Sequence, residues 1–452
     1  MQNSSSTAVP QAQLTLFRSV CIIVGVIVGS GIFRSPSSIA GNVSDWWGLS
    51  PVVWVMAAWV LGGLLSLLGA LCYAELATTY PHEGGDYVYL NRAFGPPWGF
   101  LFSWARLAII QGGSIGAIAY VFGDYADHLY QLGEHSATIY AVSATLVLTI
   151  INILGVREGT LTQNILTITK VAGLSAIVVV AFVVKPAAGA APGVSEGMGG
   201  GFGLAMIFAL WTYGGWNEIA YVAAEVKNPR RNILRSLVLG LCGVMVIYVL
   251  VNAAFLYSLG LEGVRASAVV ASDVFQTRFG TLGARLIDAL VVISALGALN
   301  GFLFTSPRVY YAMGSEHRLF APLGRWSRRF GTPVAALVLQ CVIVLALIIA
   351  FGTSKGFENM VEFTAAVFWF FLFVSGISLF VLRYKDRETE RPYPVPGYPL
   401  VPILFCLSSA YMLNASAAYA PIETFLAVVV LLLGLPLYWL ARWQEHPKRN
   451  AS

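Results

Sequence analysis

The sequence predicts an all-α protein that threads a membrane about twelve times. Three observations lead there. Only 11% of the 452 residues are charged and 57% are hydrophobic, with a mean hydropathy of +0.73, whereas soluble proteins carry about 25% charged residues. Apolar runs long enough to cross a bilayer, about 20 residues each, recur along the chain. Basic residues concentrate in alternate connections between those runs, the pattern that orients membrane helices.

Twelve spans can be drawn: 14–40, 51–79, 97–122, 138–155, 162–184, 202–225, 235–259, 284–312, 333–351, 360–383, 399–417 and 422–441. The runs at 284–312 and 399–417 are the least clean. With the N-terminus on the cytoplasmic side, nineteen Lys and Arg residues fall in cytoplasmic connections and five on the opposite side; Arg34, Arg106 and Lys170 lie within spans. This bias places both termini inside and favours an even number of spans. Residues 1–13 and 442–452 read as polar cytoplasmic tails, and 1–13 lacks the pattern of a cleaved signal peptide. Residues 186–201 read as a flexible outer loop. The stretch 260–283 reads as a connection that holds short helices over the outer face.

Other classes find little support. Cys21, Cys72, Cys242, Cys341 and Cys406 all sit in apolar segments, so neither a disulfide framework nor a zinc-ligand spacing is available. The five histidines read as loop or tail residues. No metal or cofactor site, no nucleic-acid partner and no phosphate-binding loop of an ATP-driven pump is legible, and no paired catalytic groups lie at membrane depth. The Asn42-Val43-Ser44 sequon is a pattern that chance explains.

The informative feature is a pair of glycine-interrupted segments. The first span reads IIVGVIVGSGIF, with Gly25, Gly29 and Gly31; the sixth reads FALWTYGGWNEIAYVAAE, with Gly214 and Gly215. The first opens one group of five spans and the sixth opens the next. Interrupted helices at corresponding positions of two halves point to a transporter binding site, because irregular backbone in hydrocarbon is tolerated only where it lines a cavity or is buried in protein. Unwinding releases amides that can hold a carboxylate at a helix N-terminus, and carbonyls that can accept from an ammonium. Against this, Gly25 and Gly29 also fit a small-xxx-small packing motif. The flanking Ser30, Tyr213, Trp216 and Asn217 favour a site.

These residues resemble the amino acid–polyamine–organocation superfamily, and within it the L-type amino acid transporter group. Gly29-Ser30-Gly31-Ile32-Phe33 with Ser35-Pro36 is similar to the first-helix motif. Tyr213-Gly214-Gly215-Trp216-Asn217, continuing to Glu225, Asn228-Pro229 and Arg231-Asn232, is similar to the sixth. Asn300-Gly301 with Arg308, and Arg391-Pro392 with Pro394 and Pro396, resemble further motifs. The resemblance covers nearly the whole chain. It implies a LeuT-like fold: inverted five-helix repeats at 14–184 and 202–383, then two additional helices at 399–441. It implies secondary transport of amino acids, with small neutral L-amino acids and exchange favoured.

Residue by residue, it implies that the Ser30 and Gly31 amides, beside Gly29, hold the substrate carboxylate. Carbonyls near Ile27, Val28 and Trp211 accept from the amino group, Trp211 is an aromatic gate, and Tyr213, Gly214 and Gly215 belong to the site. Trp216, Asn217, Glu218 and Asn300 support it. Lys170 falls where sodium-coupled relatives bind an ion, its ammonium replacing the cation, which implies sodium independence; the alternative is a lysine that snorkels to the interface. Glu218 is open to two readings, proton coupling or hydrogen bonding within the bundle. Arg106 and Arg34 each pair with a carboxylate or line a vestibule, and the directions of Gln111 and Ser114 are unassigned. The connection at 123–137 lacks the cysteine that animal members use for a disulfide-linked heavy chain, so that partner is not expected and the partners are substrate and membrane lipid. The rival readings are a proton-coupled or cationic amino acid or polyamine carrier and a non-transporting amino acid sensor.

Overall fold

The computed structural model describes residues 11–183, 201–267, 269–351 and 356–444. Most of the outer loop read at 186–201 and most of both tails lie outside the described residues. Within them the chain is helical, with only two isolated backbone bridges of strand type. Among the described residues, nine helices are long and apolar enough to cross a membrane, and one bent pair adds a tenth. The remaining two spans read from sequence coincide with a 17-residue apolar helix and with a second interrupted segment.

The first span is two helices, α1 (Leu16–Ile27) and α2 (Gly31–Gly41), bent by 47° at residues 28–30. Next come α3 (Pro51–Thr79), the short α4 (Asp86–Phe94), and α5 (Pro96–Ala105), which runs through a π-helical turn at Arg106–Ile110 into α6 (Gln111–Leu129). Helix α7 (Ser136–Leu154) meets α8 (Val156–Val183) at Gly155 alone, so the fifth span starts six residues before the sequence reading placed it. The sixth span is also split: α9 (Gly201–Thr212) ends before Gly215, and a 3₁₀ helix continues over Trp216–Glu225. Gly215 has φ +103°, a left-handed value that glycine adopts without steric cost.

Helix α10 (Pro229–Ala266) kinks at Gly260, and α11 (Val270–Thr305) kinks at Gly280. The connection at 260–283 is therefore mostly short helical pieces set off by two glycines, as its mixed composition suggests. Helix α12 (Pro307–Glu316), α13 (Val334–Ala350), α14 (Gly356–Lys385), α15 (Leu400–Tyr419), α16 (Pro421–Leu432) and α17 (Gly434–Trp443) complete the chain. Helices α16 and α17 meet at Leu433, whose backbone stays helical, so together they form one 23-residue span, Pro421–Trp443. One described histidine departs from the loop reading: His128 lies in the last turn of α6; His317 is in the connection after α12, buried against the Phe100 and Tyr438 rings.

Helix α1 is the centre of the bundle, touching α8, α10, α11 and the 3₁₀ helix. The α5–α6 span is the most enclosed, whereas α15, α16 and α17 present exposed apolar side chains such as Leu407, Phe425 and Trp439. Such a gradient suits a lipid-facing shell. Lipid offers apolar groups no reason to leave it, so packing and polar contacts hold the interior together.

The face that carries the N-terminus is tied by polar contacts. Amides of Gln13 and Leu14 donate to the Glu225 carbonyl at 2.9 and 2.8 Å, and Lys227 N returns a bond to the Leu14 carbonyl at 2.8 Å. Arg308 donates through Nε to the Glu225 carboxylate at 2.7 Å, both side chains being 1% exposed. Glu75 receives Arg383 and Arg391, and Asp386 receives Arg92 at 2.7 Å and the Tyr80 hydroxyl at 2.8 Å. The Arg92 guanidinium holds the Asp386 carboxyl below its ordinary value.

Removing one partner of a buried pair leaves an uncompensated charge and costs about 3–5 kcal/mol. Arg308→Met is therefore expected to lower the apparent melting temperature of detergent-purified protein. The double variant Arg308→Met/Glu225→Gln is expected to recover much of the loss, measured by thermal aggregation followed with size-exclusion chromatography.

Candidate functional site

The two helix breaks lie against each other. The Thr212 and Ser35 hydroxyls are hydrogen-bonded at 2.7 Å, joining α9 to α2. Tyr248 on α10 donates to the Ile27 carbonyl at 3.0 Å and to the Thr212 carbonyl at 3.4 Å, bridging both breaks from the side. Between them is a cavity of about 120 Å³. Its walls come from the α1–α2 break (Ile27, Gly29, Ser30, Gly31), the sixth-span break (Trp211, Gly214, Gly215, Asn217, Glu218), α6 (Gln111, Ser114), α11 (Ala298, Phe302) and α14 (Thr364, Phe368, Trp369).

The first backbone bonds of α2 run from Phe33 N and Arg34 N to the Ser30 carbonyl, at 3.1 and 3.3 Å. The Ser30, Gly31 and Ile32 amides precede them and have no intrahelical acceptor, as at any helix start. This cluster, with the positive end of the α2 dipole, is suited to an anion at the cavity wall. Opposite it stands the C-terminal end of α9, whose Trp211 carbonyl accepts from Gly214 N at 3.0 Å.

Lys170 explains why the first break holds its shape. It lies on α8, is 0% exposed, and its Nζ donates to the carbonyls of Gly25 at 2.8 Å, Val28 at 2.6 Å and Ser294 at 2.9 Å. The three N–H donors of the ammonium thus meet three carbonyls, two from the end of α1 and one from α11. A snorkelling lysine is excluded by this burial. Space for the side chain comes from Gly297, where a Cβ would lie 2.7 Å from Lys170 Nζ and Cε.

Some residues expected in the site are turned elsewhere. The Val28 carbonyl is taken by Lys170 and by Ser294 Oγ at 3.1 Å, and Val28 does not line the cavity. The Ile27 carbonyl is met by Gly29 N at 2.8 Å and by Tyr248, so both expected amine acceptors of α1 are already engaged. Tyr213 packs between Trp59 and Tyr248, and Trp216 packs against Tyr73 and Phe405; neither reaches the cavity. Asn300 is a clamp, donating to Gly159 O and Gln163 Oε1 at 3.1 and 2.8 Å and accepting from Asn152 at 2.8 Å. Asn42 is buried and donates to the Ser38 carbonyl at 2.8 Å, which is no place for a glycan.

Arg106, in the π-helical turn, donates to both oxygens of Glu218 at 2.8 and 2.7 Å, and its guanidinium lies 3.8 Å over the Tyr221 ring. Arg34 lines a second, outer cavity of about 410 Å³ together with Glu362 and Tyr419. The two cavities share Trp211, Val361, Ala365 and Trp369 as walls. Trp211 therefore stands between an outer vestibule and the inner cavity. Sequence reading missed the α14 wall, where Thr364 and, in the vestibule, Glu362 are isolated polar positions in an otherwise apolar span. The direction of Gln111 and Ser114 was also out of reach, because α6 has no polar periodicity that marks a cavity face.

An all-helical membrane bundle with a central cavity between two interrupted helices is an architecture that secondary transporters use. The comparisons make the class specific. The chain matches the family described as amino acid permease over residues 14–435, and so belongs to that family, within the amino acid–polyamine–organocation superfamily. It is 30% identical over 444 residues to the serine/threonine exchanger SteT of Bacillus subtilis (strain 168), covering 97% of this chain and 98% of that protein. It is 32% identical to the b(0,+)-type amino acid transporter 1 of Mus musculus, covering 95% and 88%. To the large neutral amino acids transporter small subunit 2 of Homo sapiens it is 31% identical, covering 95% and 81%.

The Lys170 geometry sets a test of the site. Hydrogen bonds to a charged donor contribute about 1.5–3 kcal/mol each. Lys170→Met and Gly297→Ala are each expected to lower the initial rate of amino acid uptake into proteoliposomes by at least about tenfold, the first by deleting the bonds and the second by displacing the ammonium.

Proposed function

We propose that this protein is a sodium-independent exchanger of small neutral L-amino acids, working by alternating access in the cytoplasmic membrane with both termini inside. The observation that carries the reading is the small cavity between the two breaks, with the amides of Ser30, Gly31 and Ile32 at one wall and the C-terminal end of α9 at another. The substrate carboxylate binds those amides. Its ammonium meets the Trp211 carbonyl, at the negative end of the α9 dipole. A volume of about 120 Å³ is well below the roughly 300–1,000 Å³ of pockets for drug-sized ligands, which supports a small side chain. The name of the Bacillus subtilis relative, a serine/threonine exchanger, is of the same scale.

Lys170 takes the role of a coupling cation. Its fixed charge holds α1, α8 and α11 together at the point where a sodium-coupled carrier would need an ion. The two interrupted spans, each opening a five-helix repeat, move against the remaining helices while Trp211 closes the outer path. Contacts among Leu14, Glu225 and Arg308 close the other end and must open for release. The Arg106–Glu218 pair supports the hydrogen-bonding reading of Glu218 over the proton-coupled one.

The test is uptake of labelled alanine, serine and glycine by proteoliposomes, with and without unlabelled amino acid inside, in sodium and in choline buffers. Uptake is expected to require internal amino acid and to be equal in the two buffers. Uptake into empty vesicles that follows a sodium or proton gradient would replace exchange with symport, and binding without flux would make the protein a sensor. Trp211→Ala is expected to raise the KM for uptake, because the aromatic wall shared by the two cavities is lost.

A further inference from the structure

Glu218 is the one ionisable side chain among the described residues on the wall of the inner cavity. A lone carboxylate in an enclosed cavity is a strong attractor for a cationic side chain. Here it is not available to one. A single guanidinium nitrogen of Arg106 bridges both Glu218 oxygens at 2.8 and 2.7 Å, and the Thr305 hydroxyl donates to one of them. The two charged side chains are 2% and 3% exposed. Arg106 is itself fixed from three directions: the Tyr221 ring 3.8 Å below, Ser306 Oγ at 3.3 Å, and Tyr310, whose hydroxyl donates to the Arg106 carbonyl at 3.4 Å. It does not line the cavity; it lies behind Glu218.

We propose that the Arg106–Glu218 pair is a charge-selectivity filter, a specificity-determining couple that keeps the cavity wall neutral and so rejects amino acids with ionised side chains. The inference rests on the substrate class proposed above and extends it to a mechanism of exclusion. A lysine or ornithine side chain entering the cavity would have to displace a guanidinium that is already desolvated and bonded. An aspartate side chain would find no cation to pair with, because the Arg106 guanidinium is held behind Glu218. A plain structural clamp between the sixth span and the π-helical turn would hold the helices together without changing which side chains are accepted.

The experiment is the ratio of lysine to alanine uptake, and of aspartate to alanine uptake, in proteoliposomes of wild type, Arg106→Gln and Glu218→Gln. Arg106→Gln frees the carboxylate and is expected to raise the lysine ratio about tenfold, which is about 1.4 kcal/mol of discrimination. Glu218→Gln is expected to leave the lysine ratio low and to raise the aspartate ratio. Ratios unchanged in both variants, with alanine uptake intact in wild type, would overturn the filter and leave the transport reading standing. Because a variant with a broken buried pair can fail to fold, ligand-induced thermal stabilisation of the purified wild type provides a second measurement. Alanine is expected to raise its melting temperature and lysine at equal concentration to leave it unchanged; equal stabilisation by lysine would also overturn the filter. A wild type that neither takes up nor is stabilised by any neutral amino acid would overturn both readings.

Discussion

The architecture depends on one buried ammonium. Lys170 sits at 0% exposure among carbonyls that a regular helix would have used internally. An unpaired charge at that depth is expensive, and unwound backbone carbonyls in a membrane protein are expensive too. Each problem is the other's solution. The three acceptors satisfy the ammonium, and the ammonium fixes a helix break that would otherwise have to find donors. Once α1 is held open at residues 28–30, the start of α2 presents its amides at a defined place. The close approach of Gly297 and the donation from Ser294 to the Val28 carbonyl follow from the same demand.

A second constraint is the distribution of the other buried charges. Arg106–Glu218 lies behind the cavity wall, and Arg308–Glu225 lies beside the backbone bonds of Leu14. Asn217 on the cavity wall donates to the Tyr221 hydroxyl at 2.9 Å, and Tyr221 and Tyr73 donate to Asp86 at 2.6 and 2.7 Å. Polar contacts thus run from the cavity towards the face that carries the N-terminus, whereas the opposite side is a vestibule walled by Trp211 and Trp369. Such pairs contribute little net stability over apolar packing of the same shape. Their geometry is discrete, however, so they suit a carrier whose two end states must each be well defined.

The helical membrane class was legible from charge content and from the spacing of apolar runs. Both breaks were legible because glycine interrupts an otherwise strong apolar helix, and residues 28–30 and 213–215 fall where those glycines stand. Lys170 stood out because a charge in an apolar run demands partners, yet the identity of those partners is a matter of three helices meeting. The Arg106–Glu218 pair joins residues 112 positions apart, a separation no local pattern encodes. Carbonyl directions were misjudged for the same reason: Ile27 and Val28 lie at the break, but Tyr248, Lys170 and Ser294 decide which way their oxygens are used. The wall contributed by α14 is apolar apart from Thr364 and, in the vestibule, Glu362, too few polar positions to mark a cavity face, so its place in the bundle reveals it.

In the proposed transport cycle the two breaks form the substrate site, with the carboxylate on the first amides of α2. An experimental structure of the protein in nanodiscs with saturating alanine tests it most directly. Ligand density is expected in the inner cavity, its carboxylate within hydrogen-bond distance of the Ser30 and Gly31 amides and its ammonium towards the Trp211 carbonyl. Alanine density confined to the outer vestibule beside Arg34 and Glu362, with the inner cavity holding only solvent, would contradict it.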